Sequence, residues 1–238
     1  MEKKDCSAIL PDGSGFHFWE KEPEWQRELY VSPDETIASD DNDGSEAAPF
    51  RTIGRAAAEA GPGTRIRIHA GLYRECVRPA RGGEDPEHMI SYEAFGDGDV
   101  VIRASEAVSD FRPSEGWMLR GAEDAEVRIW EYGLDPDLFR GYNPFCAVNI
   151  LHDRLFIEYD KTDMTPYLNR RGCVYCDGKP LTQVPLYYMM GRQDNTYWVE
   201  ANGMKVHFRL AGDDDPRNHL IEVSVREQCF APDKPFLN

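Results

Sequence analysis

Positive charge is scarce in this chain: 27 Lys and Arg stand against 43 Asp and Glu, a formal net charge of −16 over 238 residues. Nucleic acid and anionic membrane surfaces are polyanions that bind through Lys and Arg, so the sequence argues against both as partners. Acidic polysaccharides such as pectate are disfavoured for the same reason, and a neutral oligosaccharide suits the chain better. Long apolar runs are also lacking. Nothing in Met1 to Ser14 has the apolar core of a signal peptide, and no run approaches the length of a membrane span, which predicts a cytoplasmic chain. Cysteine is sparse, with six residues at 6, 76, 146, 173, 176 and 229 in no framework spacing, which fits reduced thiols better than a disulfide scaffold. Cys173-Val174-Tyr175-Cys176 has the spacing of half a zinc site, but no second such pair completes about four ligands. Val174-Tyr175-Cys176 also runs into Asp177-Gly178, a hairpin signal, so the two cysteines of this strand point to opposite faces. No metal and no cofactor is expected.

What is present is enough apolar material for real cores, 41% of the chain with 11% aromatic, at a length that suggests two compact units. The most informative stretch runs from Ser45 to Glu75. An alanine-rich helix around Ala56-Ala57-Ala58 stops at Gly61-Pro62-Gly63, and Ile66-Arg67-Ile68-His69 follows with apolar residues at alternate positions. A short amphipathic helix running straight into such a strand is how a right-handed parallel β-helix begins, the helix capping an otherwise open first coil. Arg67 and His69 share the face opposite Ile66 and Ile68, so His69 reads as solvent-facing or packed under the cap. Arg74 and Glu75 read as structural ion-pair partners rather than catalytic groups.

The order of Tyr73-Arg74-Glu75, Val77-Arg78-Pro79, Gly82-Gly83, Ile90-Ser91-Tyr92-Glu93-Ala94 and Gly98-Asp99-Val100-Val101-Ile102 resembles glycoside hydrolase family 120, the β-xylosidases. Gly141-Tyr142-Asn143-Pro144-Phe145, Val174-Tyr175-Cys176-Asp177-Gly178, Ile221-Glu222-Val223-Ser224-Val225-Arg226 and Cys229-Phe230-Ala231-Pro232 continue that order, so the resemblance spans about residues 29 to 232. It implies a retaining glycosidase acting on terminal xylosides, with nucleophile and acid/base carboxylates on later coils that are missing from this chain. No catalytic pair is named here. The expected fold is mainly β: an N-terminal extension over 1–28, a helical cap and first β-helix coils over 29–106, an inserted β-sandwich over 107–222, and a truncated return to the β-helix over 223–238. The sandwich rests on Asn202-Gly203, a strong hairpin signal between Tyr197–Ala201 and Met204–Leu210, and on further candidate strands at Val127–Trp130, Arg154–Tyr159 and Leu220–Val225.

Sugar binding needs an aromatic face and polar neighbours for the hydroxyls. Three groupings offer them: Phe16, Phe18, Trp19 and Trp25; Tyr142, Asn143 and Phe145; and Tyr187 with Tyr188. Core packing is the competing reading for each. The Tyr142-Asn143-Pro144-Phe145 loop is the best candidate because Gly141 and Pro144 mark it as a loop, and Asp153 just beyond it is a carboxylate able to orient a hydroxyl. Asp40-Asp41-Asn42-Asp43-Gly44 fails as a calcium loop: with Gly44 at the sixth position, the twelfth falls on Phe50 where a bidentate Glu is required. Asp213-Asp214-Asp215-Pro216 reads as a turn. Two functions of different class follow. One is the N-terminal portion of a β-xylosidase-like enzyme, inactive alone. The other is a non-catalytic carbohydrate-binding module, or one that pairs with a second chain supplying further coils or with its own copy.

Overall fold

The computed structural model describes residues 8–16, 23, 25–115, 127–139, 141–147, 170–200 and 202–238. The chain forms two compact units, one from Met1–Gly71, Val77–Val101 and Ala231–Asn238 and the other from Leu72–Cys76 and Ile102–Phe230. Among the described residues it is mainly β with one α-helix, and no helix is long and apolar enough to cross a membrane.

The first unit opens with a two-stranded antiparallel pair, Ala8–Ile9 (β1) and Gly15–Phe16 (β2). Its centre is a parallel sheet of Arg27–Val31 (β3), Thr64–Ile68 (β4) and Ile90–Ala94 (β6), in that order, with Leu29, Ile66 and Tyr92 in one row and Val31, Ile68 and Ala94 in the next. Strand alternation buries Ile66 and Ile68 and turns Arg65 and Arg67 outward. There Arg65 donates to Glu93 at 2.6 and 2.9 Å and lies 3.6 Å from Glu28, while Arg67 sits over the Phe95 ring. His69 behaves similarly, its Nδ1 2.8 Å from Asp97 and its ring against Phe95. Helix α1, Ile53–Glu59, buries Ile53, Ala56 and Ala57 and packs against β3 and β4. Thr52 caps it by accepting from the Arg55 N–H. The acidic loop serves that cap. Asp40 accepts from the backbone N–H of Arg51 and Thr52 and from the Thr52 hydroxyl, so its carboxylate is taken up by the helix start.

β4 pairs with one edge of β6 and leaves the other to a different segment. In the structure Phe236–Asn238 lies along it: Ile90 N–H donates to the Phe236 carbonyl, Tyr92 N–H to the Asn238 carbonyl, and Asn238 N–H to the Ile90 carbonyl. The short strands Gly71–Tyr73 (β5) and Val100–Ile102 (β7) fall at the sequence boundaries of the units.

The second unit has two sheets. Ser105–Val108 (β8), Val174–Cys176 (β11), Lys179–Pro180 (β12) and Ile221–Ser224 (β16) form an antiparallel sheet in the order β12-β11-β16-β8. Arg112–Pro113 (β9), Trp130–Gly133 (β10), Thr182–Gln183 (β13), Thr196–Val199 (β14) and Lys205–Arg209 (β15) form the other, β13-β14-β15-β10-β9, with β13 parallel to β14. Both sheets contribute to one apolar core: Trp130, Tyr197, Val199, Val206 and Phe208 from one, Val174, Ile221 and Val223 from the other, with Phe139, Phe145 and Leu210 between. A second cluster, Ile129, Val184, Tyr187, Met190 and Trp198, packs on the opposite side of β14.

Both hairpin signals are realised. Asp177 and Gly178, at φ 49° and 75°, join β11 to β12, and Gly203, at φ 69°, lies in the turn between β14 and β15. The unit does not begin at residue 107. β8 starts at Ser105 and pairs along its whole length with β16, and Val225 stays in this unit's core. Val127–Trp130 is extended only at its end, where β10 begins, and the candidate strand 154–159 lies outside the described residues.

Candidate functional site

On β16 the alternation that sends Ile221 and Val223 into the core sends Glu222 to the other face, yet its side chain is only 2% exposed. A lone buried carboxylate would cost several kcal/mol. Here Arg74 reaches it at 2.7 Å, Arg103 donates to its other oxygen at 2.7 Å, and the Ser105 hydroxyl donates at 3.1 Å. Burial works against the charged form, but these three donors outweigh it and hold Glu222 below the ordinary carboxyl range. Arg74 also donates to the Ser105 carbonyl at 2.7 Å, which fixes the guanidinium against β8. The set spans distant parts of the sequence, and β8, through its pairing with β16, brings it together.

Around this carboxylate lies a cavity of about 280 Å³ lined by Arg103, Ser105, Tyr175, Glu222, Ser224 and Cys229 among others. Tyr175 is the cross-strand partner of Glu222 on β11, so ring and carboxylate lie side by side. An aromatic face, a carboxylate, a guanidinium and two hydroxyls in a space near the small end of ligand pockets can bind one sugar ring through its hydroxyls. The chemistry available is recognition. A general acid needs a raised pKa, and Glu222 has the opposite; a retaining glycosidase needs two carboxylates about 5 Å apart, and Glu222 is the one carboxylate among the described lining residues.

The residues expected from sequence lie elsewhere. Tyr142 is 44% exposed. Asn143 caps the short 3-10 helix Pro144–Cys146, its Oδ1 accepting from the Phe145 N–H and its Nδ2 donating to the Gly203 carbonyl. Phe145 is 0% exposed, edge-on to Phe139 in the core, and so presents no face to a sugar: a loop's aromatic residue is its anchor rather than its platform. Asp153 lies outside the described residues, as do Phe18 and Trp19. Tyr187 is also a core residue, and its hydroxyl is 2.8 Å from the Ser114 hydroxyl. The Ile221–Arg226 segment stands out in the sequence, but its own pattern gives Glu222 no role. The available signal was a carboxylate at the non-core position of an otherwise β-branched strand, in a chain whose Tyr73-Arg74 and Ile102-Arg103 follow apolar residues with arginine.

A second polar group surrounds His207 on β15, which is 0% exposed. Its Nδ1 lies 2.8 Å from the Ser114 hydroxyl and 3.7 Å from Glu131, and its Nε2 lies 3.0 Å from Glu200, with Tyr187 and Trp198 against the ring. Burial pushes its pKa down despite the two carboxylates. Such a neutral, enclosed imidazole ties β15 to its surroundings. Among the described residues, one group, Cys176, Asp177 and His219, gathers atoms able to hold a metal ion.

No family model matches the chain. Among curated proteins, uncharacterized protein YwoF of Bacillus subtilis (strain 168) is 36% identical over 74 residues, 31% of this chain and 15% of that protein. Among solved structures, XylC in complex with xylose superposes with a TM-score of 0.63 at 24% identity, covering 85% of this chain and 32% of XylC. A structure described as a glycoside hydrolase gives a TM-score of 0.47 at 12% identity, over 88% of this chain and 49% of that one. The chain therefore spans about a third of XylC and shares the fold of that part.

Proposed function

We propose that this chain is the N-terminal portion of a carbohydrate-active β-helix enzyme resembling a retaining β-xylosidase, and that its own share of the work is to hold neutral sugar. In this reading the parallel strands β3, β4 and β6 are the first coils of a right-handed parallel β-helix with α1 as their cap, and the two sheets of the second unit are an inserted β-sandwich. The carboxylates that cleave the glycosidic bond belong to further coils, carried by another segment or a second chain. The supporting observation is the fold shared with part of XylC, a protein whose structure holds xylose. The net charge of −16 agrees with a neutral ligand and disfavours nucleic acid or an anionic membrane surface as partner, and the reading places the chain in the cytoplasm.

The Glu222 cavity favours a second reading, a carbohydrate-binding module that never takes part in hydrolysis. One pair of measurements separates the readings. The pure chain is expected to leave an aryl β-xyloside intact and to show amide shift changes at Ser105, Tyr175 and Glu222 on titration with xylose or xylobiose. Turnover that survives repurification would overturn the assignment of chemistry to other segments, and titration without shifts there would remove the cavity from the site. Turnover gained on adding a chain of further β-helix coils selects the enzyme reading, and unchanged binding without turnover selects the module.

A further inference from the structure

The β11–β12 turn and the loop before β16 bring three donor atoms of different chemistry together in the second unit. Cys176 Sγ, an Asp177 carboxylate oxygen and a His219 ring nitrogen all lie within 4.8 Å of one another. Asp177 Oδ2 sits at the middle of the group, 3.9 Å from Cys176 Sγ and 2.7 Å from His219 Nδ1. Its other oxygen is occupied by the Leu220 N–H at 2.9 Å, which leaves Oδ2 facing the thiol and the imidazole. On the far side of the ring, His219 Nε2 lies 3.0 Å from Asp214 Oδ2. Each ring nitrogen thus donates toward a carboxylate, and when a metal takes the place of the Nδ1 proton, the Nε2–H stays on Asp214. A carboxylate behind a histidine in this way is the usual outer support of a metal-binding imidazole.

We propose that Cys176, Asp177 and His219 form a site for one divalent metal ion of the zinc type, with Asp214 as the positioning residue behind the histidine. One sulfur, one imidazole nitrogen and one carboxylate oxygen are a donor set that zinc accepts, and the thiolate disfavours magnesium and calcium. Bonds of about 2.0–2.3 Å put tetrahedral ligands roughly 3.3–3.8 Å apart, so the Asp177–His219 contact must open by under an ångström or so, on an exposed two-residue turn. Metal entry displaces the thiol proton and the Nδ1 proton to solvent and changes no oxidation state. A water takes the fourth position, because Asp177 and His219 are both solvent-accessible. Cys173 takes no part: its N–H donates to the Ser224 hydroxyl and its sulfur meets Arg170, so the two-cysteine spacing of the sequence was a false lead to a true ligand.

The test uses the full chain, stripped with chelator and kept reduced, titrated with zinc alone and with cobalt(II) as a spectroscopic stand-in. The expected result is one equivalent of zinc bound, and with cobalt a thiolate-to-metal charge-transfer band together with the intense visible bands of tetrahedral coordination. Cys176→Ser is expected to abolish the charge-transfer band and Cys173→Ser to keep it. Asp214→Asn should weaken zinc binding by about tenfold or more while leaving the cobalt spectrum tetrahedral. A cobalt spectrum that stays that of the hydrated ion, or a band that survives Cys176→Ser, would overturn the proposal. Should Cys176→Ser fail to fold, His219→Gln decides: retention of the band at unchanged affinity overturns it.

Discussion

Removing the Glu222 carboxylate leaves the Arg74 and Arg103 guanidinium groups facing a neutral side chain, and breaking a buried pair costs about 3–5 kcal/mol. Glu222→Gln is expected near 3 kcal/mol, because the two arginines keep some contact with water (side chains 21% and 34% exposed). Urea denaturation at neutral pH measures it. The sign with pH follows from the lowered folded pKa: the contribution is present above the unfolded carboxyl value of about 4.3 and is lost as pH falls through the folded one. Glu222→Gln should therefore flatten the acid limb of the stability curve, and an unchanged limb would refute the pairing. His207 gives a separate expectation. Its folded pKa is also depressed, here by burial, so the folded form resists the proton that the unfolded chain accepts; stability is full above about 6.5 and declines as pH falls below it. In an NMR titration His207 should move below that value and His88, held up by Asp85, above it. What the residues alone could not show is which polar groups are enclosed. His207 sits in the strand pattern Lys-Val-His-Phe-Arg between two core residues, and only the packing of Tyr187 and Trp198 on the outer side of β14 reveals that its face is buried too.

Elements were the most legible scale. Helix α1, the β4 alternation and both hairpin turns are written in local chemistry: a Thr cap, Gly at positive φ, branched residues at every second place. The cap is a small term, and Thr52→Ala is expected to cost about 1 kcal/mol. Asp40→Ala should cost more, since Asp40 accepts from two backbone groups and from the capping hydroxyl itself. The opposite ranking in thermal melts would show that the loop follows the helix rather than holding it. Gly203 is fixed by its surroundings as well as its turn, because a Cβ there would lie 2.7 Å from the Phe145 carbonyl oxygen and 2.8 Å from Cys146. Gly203→Ala should cost roughly 1–3 kcal/mol from the backbone conformation with the clash added, and a neutral effect would mean that the 144–146 helix yields. That contact also shows how the candidate loop is held. Pro144 and Gly141 do mark a loop, but the asparagine caps it and the phenylalanine is drawn into the core, which no local pattern reveals.

At the scale of the whole molecule, the two units share out the sequence in a way that length and composition could suggest but not locate. Residues 72–76 and 102–106 belong with the second unit because of what they meet late in the chain. A segment spanning 72–230, which keeps Arg74 as well as β8, should accordingly give a dispersed amide spectrum, whereas 107–222 loses the start of β8 together with Arg74, Arg103 and Ser105 and should give a collapsed one; equally dispersed spectra would show that these residues are dispensable. The Arg103–Glu222 contact closes over 119 residues. At roughly 5–20 residues per second of synthesis, that interval is on the order of ten seconds during which β8 exists without the strand it pairs with. Until Ile221–Ser224 emerges, the nascent chain carries β8 without the strand it pairs with and Arg103 without the carboxylate it meets.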